Sequence, residues 1–403
     1  MQRILSDQLP AHTGETVRLA GWVHRRRVLS KVAFLVLRDR RGLAQVVCPS
    51  AELPAEETVV EVTGRVTANA VAPGGVELVS PSITVLSQAE PPPVELFRPA
   101  LGASLPALLD HAPVTRRHPS RRELFAASSA AVRAFRSTLD EFGFTEVFTP
   151  KIVGTATESG ANVFAVDYFG RPAYLAQSPQ FYKQTMVGVF ERVYEVGPVF
   201  RAEPHDTSRH LAAYTSLDAE LGFIADHRDV MEVLTAVLRS MVRATGVEGV
   251  RLPGTVPVLH FGEALEVAGA APDEPDLAPE HERALGLWAL REHGSDFIYV
   301  EGYPMVKRPF YTYPGRSFDL VFRGMELVTG GQRLHRYEDY LAALTARGEQ
   351  PEAYASYLAA FRHGMPPHGG FAIGLERFLA RLTGAANVRE TTLFPRDLHR
   401  LAP

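Results

Sequence analysis

Five β-branched runs crowded into residues 14 to 87 decide how the first part of this chain can fold. TVRLAGWVH, KVAFLVLRD, LAQVVCP, TVVEVTGRVT and VELVSPSITVL alternate along their length, so each predicts a short strand. DRRG, Asp39 to Gly42, predicts a hairpin turn between two of them. Five strands in about 75 residues suit a small closed barrel.

The OB-fold is such a barrel, and its open face often binds single-stranded nucleic acid. An oligosaccharide- or protein-binding barrel fits the same pattern. Beyond it, Gln88 to Pro106, with three consecutive prolines at Pro91 to Pro93, predicts a linker that a basic hinge segment continues. The predicted organisation is therefore a barrel over 1–90, a linker over 91–122 and a second domain over 123–403.

The second domain changes period. Leu124, Phe125, Ser128, Ala131, Val132 and Phe135 recur at helical spacing up to a stop at Gly143, and FTEVFTPKIV predicts a strand ending on Pro150. Residues 225–300 read as a mostly helical insertion without a legible motif. SFDLVFRGMELVTGG predicts strand, Tyr337 to Arg347 and Glu352 to Arg362 predict helices, and Leu375, Phe378, Leu379 and Leu382 form the buried stripe of a last helix. Neither parallel crossover units nor a G-x-x-x-x-G-K loop is present, which leaves an α+β domain with a mainly antiparallel sheet flanked by helices.

With 46% hydrophobic residues among 403 the chain can fill real cores. The start, MQRILSDQLPAH, has no apolar signal core, and no apolar run approaches the roughly 20 residues of a membrane span. A single cysteine, Cys48, excludes a disulfide framework and suits a reducing, cytoplasmic setting. Net charge is −4, so there is no global basic field, although His24 to Arg27, Arg38 to Arg41 and Arg116 to Arg122 are local basic clusters. Lysine is confined to Lys31, Lys151, Lys183 and Lys307, in a chain that otherwise uses arginine.

FRAEPHDTSRHLAAYTSLDAE, Phe200 to Glu220, concentrates ionisable groups on a predicted hairpin. If Val199 to Glu203 and Tyr214 to Glu220 are strands, Arg201 and Glu203 share a face, as do Tyr214, Ser216, Asp218 and Glu220, while Phe200, Ala202, Leu217 and Ala219 turn to the other side. A charged, ring-bearing face of this kind suits a polyanion beside a small zwitterion.

FTEVFTPKIV, the hairpin, ATESGANVF with YLAQSPQFYKQ, and FDLVFRGMELVTGGQRLH with GGFAIGLERF together resemble, in order and spacing, the class II aminoacyl-tRNA synthetases, and among them the aspartyl enzymes of the archaeal type. The resemblance covers nearly the whole chain. It implies an anticodon-binding OB-fold barrel followed by a class II catalytic domain, and a ligase that joins L-aspartate to tRNA through aspartyl-adenylate.

What the resemblance carries over is residue-specific. Arg201 would stabilise charge on the ATP α-phosphate, Glu203 would accept from the adenine amino group, Tyr214 would stack on the purine, and Arg209 or His210 would reach the outer phosphates. Gly374 would open a helix facing the nucleotide, and Arg377 would contact the γ-phosphate. Glu326 and Thr329 would hold Mg2+. Glu158, Ser178, Gln180 and Asp218 would line the aspartate site, with Lys183 and Arg333 on the substrate's side-chain carboxylate; Phe310 and Tyr311 are further pocket candidates. Pro150 marks the expected homodimer interface. Read alone, Lys183 is more readily an exposed helix lysine, which its rarity and the surrounding match reverse, and Glu376 and Arg377 are ordinary first-turn charges.

In the barrel, Phe34 and Gln45 match the family's base-stacking aromatic and hydrogen-bonding amide, with Glu77 as a third candidate. A core phenylalanine is the plain alternative for Phe34. His24 and Pro73 look like the pair found in enzymes with relaxed tRNA choice, which implies that both tRNA(Asp) and tRNA(Asn) are charged and that an Asp-tRNA(Asn) amidotransferase follows. A strictly discriminating aspartyl enzyme, an asparaginyl enzyme and a non-catalytic RNA-binding paralogue are the alternatives.

Overall fold

Val17, Leu19, Val23, Leu35, Leu37, Val46, Val60, Val62 and Leu78 alternate with outward residues along five strands, and their common burial closes the first unit. In the computed structural model, which describes residues 2–30, 32–49, 53–155 and 162–402, these strands are β1 (Thr16–Val28), β2 (Ala33–Arg38), β3 (Leu43–Cys48), β4 (Val59–Ala68) and β5 (Val76–Ser87). They form a closed barrel in the order β1-β2-β3-β5-β4. The β2–β3 turn is held by Asp39, whose amide N–H donates to Gly42 O at 3.0 Å and whose Oδ1 accepts from the amides of Arg41 and Gly42. Cys48 is buried in the barrel as a small hydrophobe. This unit runs from Met1 to Arg122, and its last part contains short helices at Leu105–Asp110 and Ala112–Thr115.

The second unit, Glu123–Pro403, contains β6 (Thr145–Glu146), β7 (Ile152–Val153), β8 (Ala165–Tyr168), β9 (Arg171–Leu175), β10 (Arg192–Phe200), β11 (Ala213–Gly222), β12 (Val258–His260), β13 (Phe297–Glu301), β14 (Thr312–Phe322), β15 (Met325–Arg333) and β16 (His368–Gly374). Eight of them form one sheet in the order β12-β13-β14-β15-β16-β11-β10-β6, and β7, β9 and β8 form a small separate sheet. Only the outermost pairings of the large sheet, β12 with β13 and β6 with β10, are parallel.

One face of the large sheet is apolar. Leu217, Ala219, Phe318, Leu320, Phe322, Phe371 and Ile373 pack there against the helices Pro119–Glu141, His227–Thr245 and Leu375–Thr383. Helix His227–Thr245 is typical: Asp226 caps it by accepting from the Arg228 amide, Gly246 ends it at φ 68°, and Val230, Leu234, Val237, Leu238 and Met241 are buried at three- and four-residue spacing. Each such side chain contributes about 2 kcal/mol through burial. The alternate residues of the same strands face the other way, and there the polar groups collect.

Two expectations need correction. FTEVFTPKIV is not one strand: pairing stops after Glu146 and resumes, in the small sheet, at Ile152, with the Thr149 hydroxyl held by Glu195 at 2.7 Å between them. β10 ends at Phe200, so Arg201 and Glu203 lie just beyond it. Residues 225–300 are mostly helical, as expected, in His227–Thr245, Phe261–Ala268 and Pro279–His293, and they also contribute β12 and much of β13 to the sheet.

Candidate active site

A single row of register partners crosses the polar face of the sheet: Asp319 opposite Thr329, Thr329 opposite Ala372, Ala372 opposite Asp218, and Asp218 opposite Glu195. Alanine at its centre leaves open space between carboxylates. Two adjoining pockets meet there, sharing Arg201, Tyr214, Ser216, Glu326, Thr329 and Ala372.

The deeper pocket is lined by Ser178, Gln180, Lys183, Asp218 and Arg333. Lys183 is completely buried, which removes the plain alternative of an exposed helix lysine. Helix Gln180–Phe190 directs it inward, and its Nζ lies 3.0 Å from Asp218 Oδ1 and 3.3 Å from Glu220 Oε2, and donates to Phe371 O at 3.1 Å. Arg333 donates from Nε to Glu220 Oε1 and from Nη2 to Gly370 O, each at 3.0 Å. Burial alone would push the Glu220 carboxyl up, but the Arg333 and Lys183 cations outweigh it and hold the group below the ordinary glutamate range. Gly370 is required here, since a Cβ would stand 2.2 Å from Ala219 O and 2.1 Å from Glu220 Oε2. Behind this floor, Gln184 donates to Tyr340 OH at 3.1 Å and lies 2.9 Å from His368 Nε2, and burial lowers the His368 pKa to about 4. The neutral ring then donates through Nδ1 to Pro366 O and accepts from Gln184.

The outer pocket is lined by Arg201, Glu203, Arg209, His210, Tyr214, Glu326, Thr329, Gly374 and Arg377. The Arg201 guanidinium stands 5.9 Å over the Tyr214 ring and 4.0 Å from Glu203. Gly374 is the N-cap of helix Leu375–Thr383, and Arg377 on its first turn donates to Glu326 O at 3.0 Å and lies 3.7 Å from the Glu326 carboxylate. Enclosure and the neighbouring Asp319 carboxylate raise the Glu326 pKa. The Thr329 hydroxyl is 3.4 Å from Glu326 Oε1. Burial, then Arg377, lowers the His210 pKa, so of the two candidates for the outer phosphates Arg209 is the standing cation. Glu376 is not a surface charge: it is buried, and both its oxygens accept from the Thr215 amide at 3.1 Å.

Glu158 lies outside the described residues. Tyr311 lines the deep pocket, its ring 5.5 Å from the Arg333 guanidinium, but Phe310 does not; it belongs to an aromatic core with Phe181, Tyr340, Tyr354 and Tyr357. The sequence reading missed Asp319 and Glu282. Asp319 was visible as the polar residue between Phe318 and Leu320, whose alternation puts it on the opposite face from the core. Arg308 holds it through two hydrogen bonds of 2.9 and 2.8 Å. Glu282 had no local signal.

On the barrel, Phe34 and Gln45 lie on outward-facing positions of β2 and β3, with Gln45 donating to Glu77 Oε2 at 2.8 Å and Arg27 stacked 5.9 Å over the Phe34 ring. His24 does not join them. It occupies a bulge of β1 and is buried beside Arg38, which donates bidentately to Glu57; burial and then Arg38 lower its pKa to about 4. Its Nδ1 lies 3.2 Å from Arg38 Nη1, which places His24 beside the Arg38–Glu57 pair. Pro73 starts the short turn Pro73–Gly75 before β5.

Comparison with known proteins adds the lineage. Residues 107–398 match the family described as tRNA synthetases class II (D, K and N), and residues 17–86 match the OB-fold nucleic acid binding domain. The aspartate--tRNA(Asp/Asn) ligase of Thermus thermophilus is 48% identical over the full length of both chains, and that of Deinococcus radiodurans 45% identical over 100% of this chain and 99% of its own. The crystal structure of asparaginyl-tRNA synthetase from Pyrococcus horikoshii complexed with asparaginyl-adenylate superposes with a TM-score of 0.92 at 30% identity, covering both chains fully. A polar row on an antiparallel sheet, a Gly374–Arg377 helix start at its edge and an N-terminal OB barrel thus belong to a chain that is a member of the class II tRNA synthetase family.

Proposed function

We propose that the chain activates L-aspartate with ATP to aspartyl-adenylate and transfers the aspartyl group to the terminal ribose of tRNA, accepting both tRNA(Asp) and tRNA(Asn). The observation that carries the amino-acid choice is the buried pair of cations, Lys183 and Arg333, at the bottom of the pocket. A second carboxylate distinguishes aspartate from asparagine, and a fully desolvated ammonium and guanidinium recognise it through charge-assisted hydrogen bonds. Asp218 takes the substrate ammonium. Arg201, where the two pockets join, stabilises the charge that builds on the α-phosphate as the carboxylate attacks in line. No side chain serves as a nucleophile.

Glu326 and Thr329 offer a carboxylate and a hydroxyl, hard oxygen donors that fit Mg2+ with phosphate oxygens and water completing its shell. Burial, and then the neighbouring Asp319 carboxylate, raise the Glu326 pKa, and a nearby cation would offset both. Held there by Glu326 and Thr329, Mg2+ would supply neutralisation of phosphate charge.

Relaxed tRNA choice rests on the names of the Thermus and Deinococcus relatives. The outward Phe34, Gln45 and Glu77 read the anticodon. A homodimer is proposed from the exposed edge strand β6 and the apolar Phe148, Val189 and Phe190 beside it, of which Phe148 is 80% exposed. No described helix is long and apolar enough to cross a membrane, in keeping with a cytoplasmic enzyme. Charging purified tRNA(Asp) and tRNA(Asn) with aspartate tests the reading: both are aspartylated, and Asp-tRNA(Asn) is the substrate for an amidotransferase. Product on tRNA(Asp) alone would restrict the function to a discriminating enzyme.

A further inference from the structure

Helix Pro279–His293 lies in the stretch for which the sequence offered no motif, yet its first turn reaches the site. Glu282 is 5% exposed. Its Oε2 accepts from the Arg209 guanidinium and, at 2.8 Å, from the backbone amide of Glu326. One carboxylate oxygen thereby joins the loop cation of the outer pocket to the strand that bears the metal carboxylate.

The helix is a rigid platform for this. Gly286, one turn after Glu282, packs on the β14–β15 turn so closely that a Cβ would stand 2.5 Å from Gly324 N. Gly324 in turn has φ 73° and would place a Cβ 3.0 Å from Arg283 Cα. Only glycine at both positions lets the helix meet the turn, two residues before Glu326. The far side of the loop is fixed separately, since Arg389 donates to Asp206 Oδ1 at 2.6 Å and to Thr207 O at 3.1 Å. The Arg209 backbone is tied to this fixed part, its amide donating to the Thr207 hydroxyl at 3.1 Å, while its guanidinium is held by Glu282.

We propose that Glu282 is a positioning residue for the nucleotide half of the reaction: it holds the Arg209 guanidinium and the Glu326 strand at a fixed spacing, so that the outer phosphates meet both together. The inference rests on the reading of Arg209 and Glu326 as ATP-site residues. An arginine left free on a loop would lose side-chain entropy on each binding event; docking it in advance removes that cost from ATP binding.

The test is aspartate-dependent ATP–pyrophosphate exchange by the full chain. Glu282→Gln keeps an acceptor for the Glu326 amide and loses the charge that holds Arg209. It is expected to raise KM for ATP roughly tenfold while KM for aspartate stays within about twofold. Glu282→Asp, charged but shorter, gives an intermediate rise and serves if the glutamine variant folds poorly. Combined with Arg209→Ala, Glu282→Gln adds nothing further, because the two act through one contact. An unchanged or lowered KM for ATP in both Glu282 variants, or effects that multiply in the double variant, would overturn the proposal while leaving the enzyme reading intact. Failure of the unaltered chain to catalyse any exchange would remove both.

Discussion

Lys183 Nζ lies 3.0 Å from Asp218 Oδ1, and both side chains are nearly sealed from solvent, at 1% and 2% exposure. The pocket therefore neutralises itself: the cation proposed to receive the substrate carboxylate is paired with the anion proposed to receive the substrate ammonium. Under the proposed function, aspartate would enter by exchanging its own charges into that pair.

Lys183→Met should abolish this exchange. ATP–pyrophosphate exchange is expected to lose about a hundredfold in kcat/KM for aspartate, with KM for ATP little changed. Asp218 and Glu220 would be left with one buried cation fewer, so the variant should also be destabilised by about 3 kcal/mol in urea unfolding. Unaltered aspartate kinetics would contradict the assignment.

Glu376 gives stability a pH dependence. Burial raises its carboxyl from the ordinary 4.5 to about 7, so the folded state favours the protonated form. The stability this contributes is fully present below pH 4.5 and is lost as pH rises through about 7. The loss is of order 3 kcal/mol at most. Glu376→Gln keeps an acceptor for the Thr215 amide and has no proton to lose. Urea midpoints at pH 5 and pH 8 should therefore differ less in the variant than in the unaltered chain; an identical difference would refute the role given to burial.

Phe34→Ala and Gln45→Ala should act on tRNA alone. Loss of a stacked base costs about 1–3 kcal/mol, so KM for tRNA should rise tenfold or more in aminoacylation, while pyrophosphate exchange is untouched. A change in exchange kinetics would place these residues elsewhere in the mechanism.

Phe148→Glu puts a charge into the proposed subunit interface. Sedimentation should show a dimer for the unaltered chain and a monomer for the variant. A monomer in both would remove the dimer from the account.

How much of this was legible in the sequence varies by the range of the interaction. The barrel strands, the helix ends and the side of β11 that carries Tyr214, Ser216 and Asp218 follow from local periodicity, which the backbone obeys wherever one face is buried. The burial of Lys183 is different: helical spacing leaves it open, and only the opposing Asp218, Glu220 and Phe371, brought by other strands, enclose it. The setting of His24 was not local either, since the bulge in β1 turns it toward Arg38. Glu282 was illegible because its partners, Arg209 and Glu326, are distant in sequence and nothing around it marks a site.

The central claim is that this pocket activates aspartate, and ATP–pyrophosphate exchange with a single amino acid present measures that most directly. Aspartate is expected to support exchange, and asparagine at the same concentration to leave it at background. Exchange driven by asparagine and not by aspartate would contradict the account, because it would mean that Lys183 and Arg333 do not receive a second carboxylate.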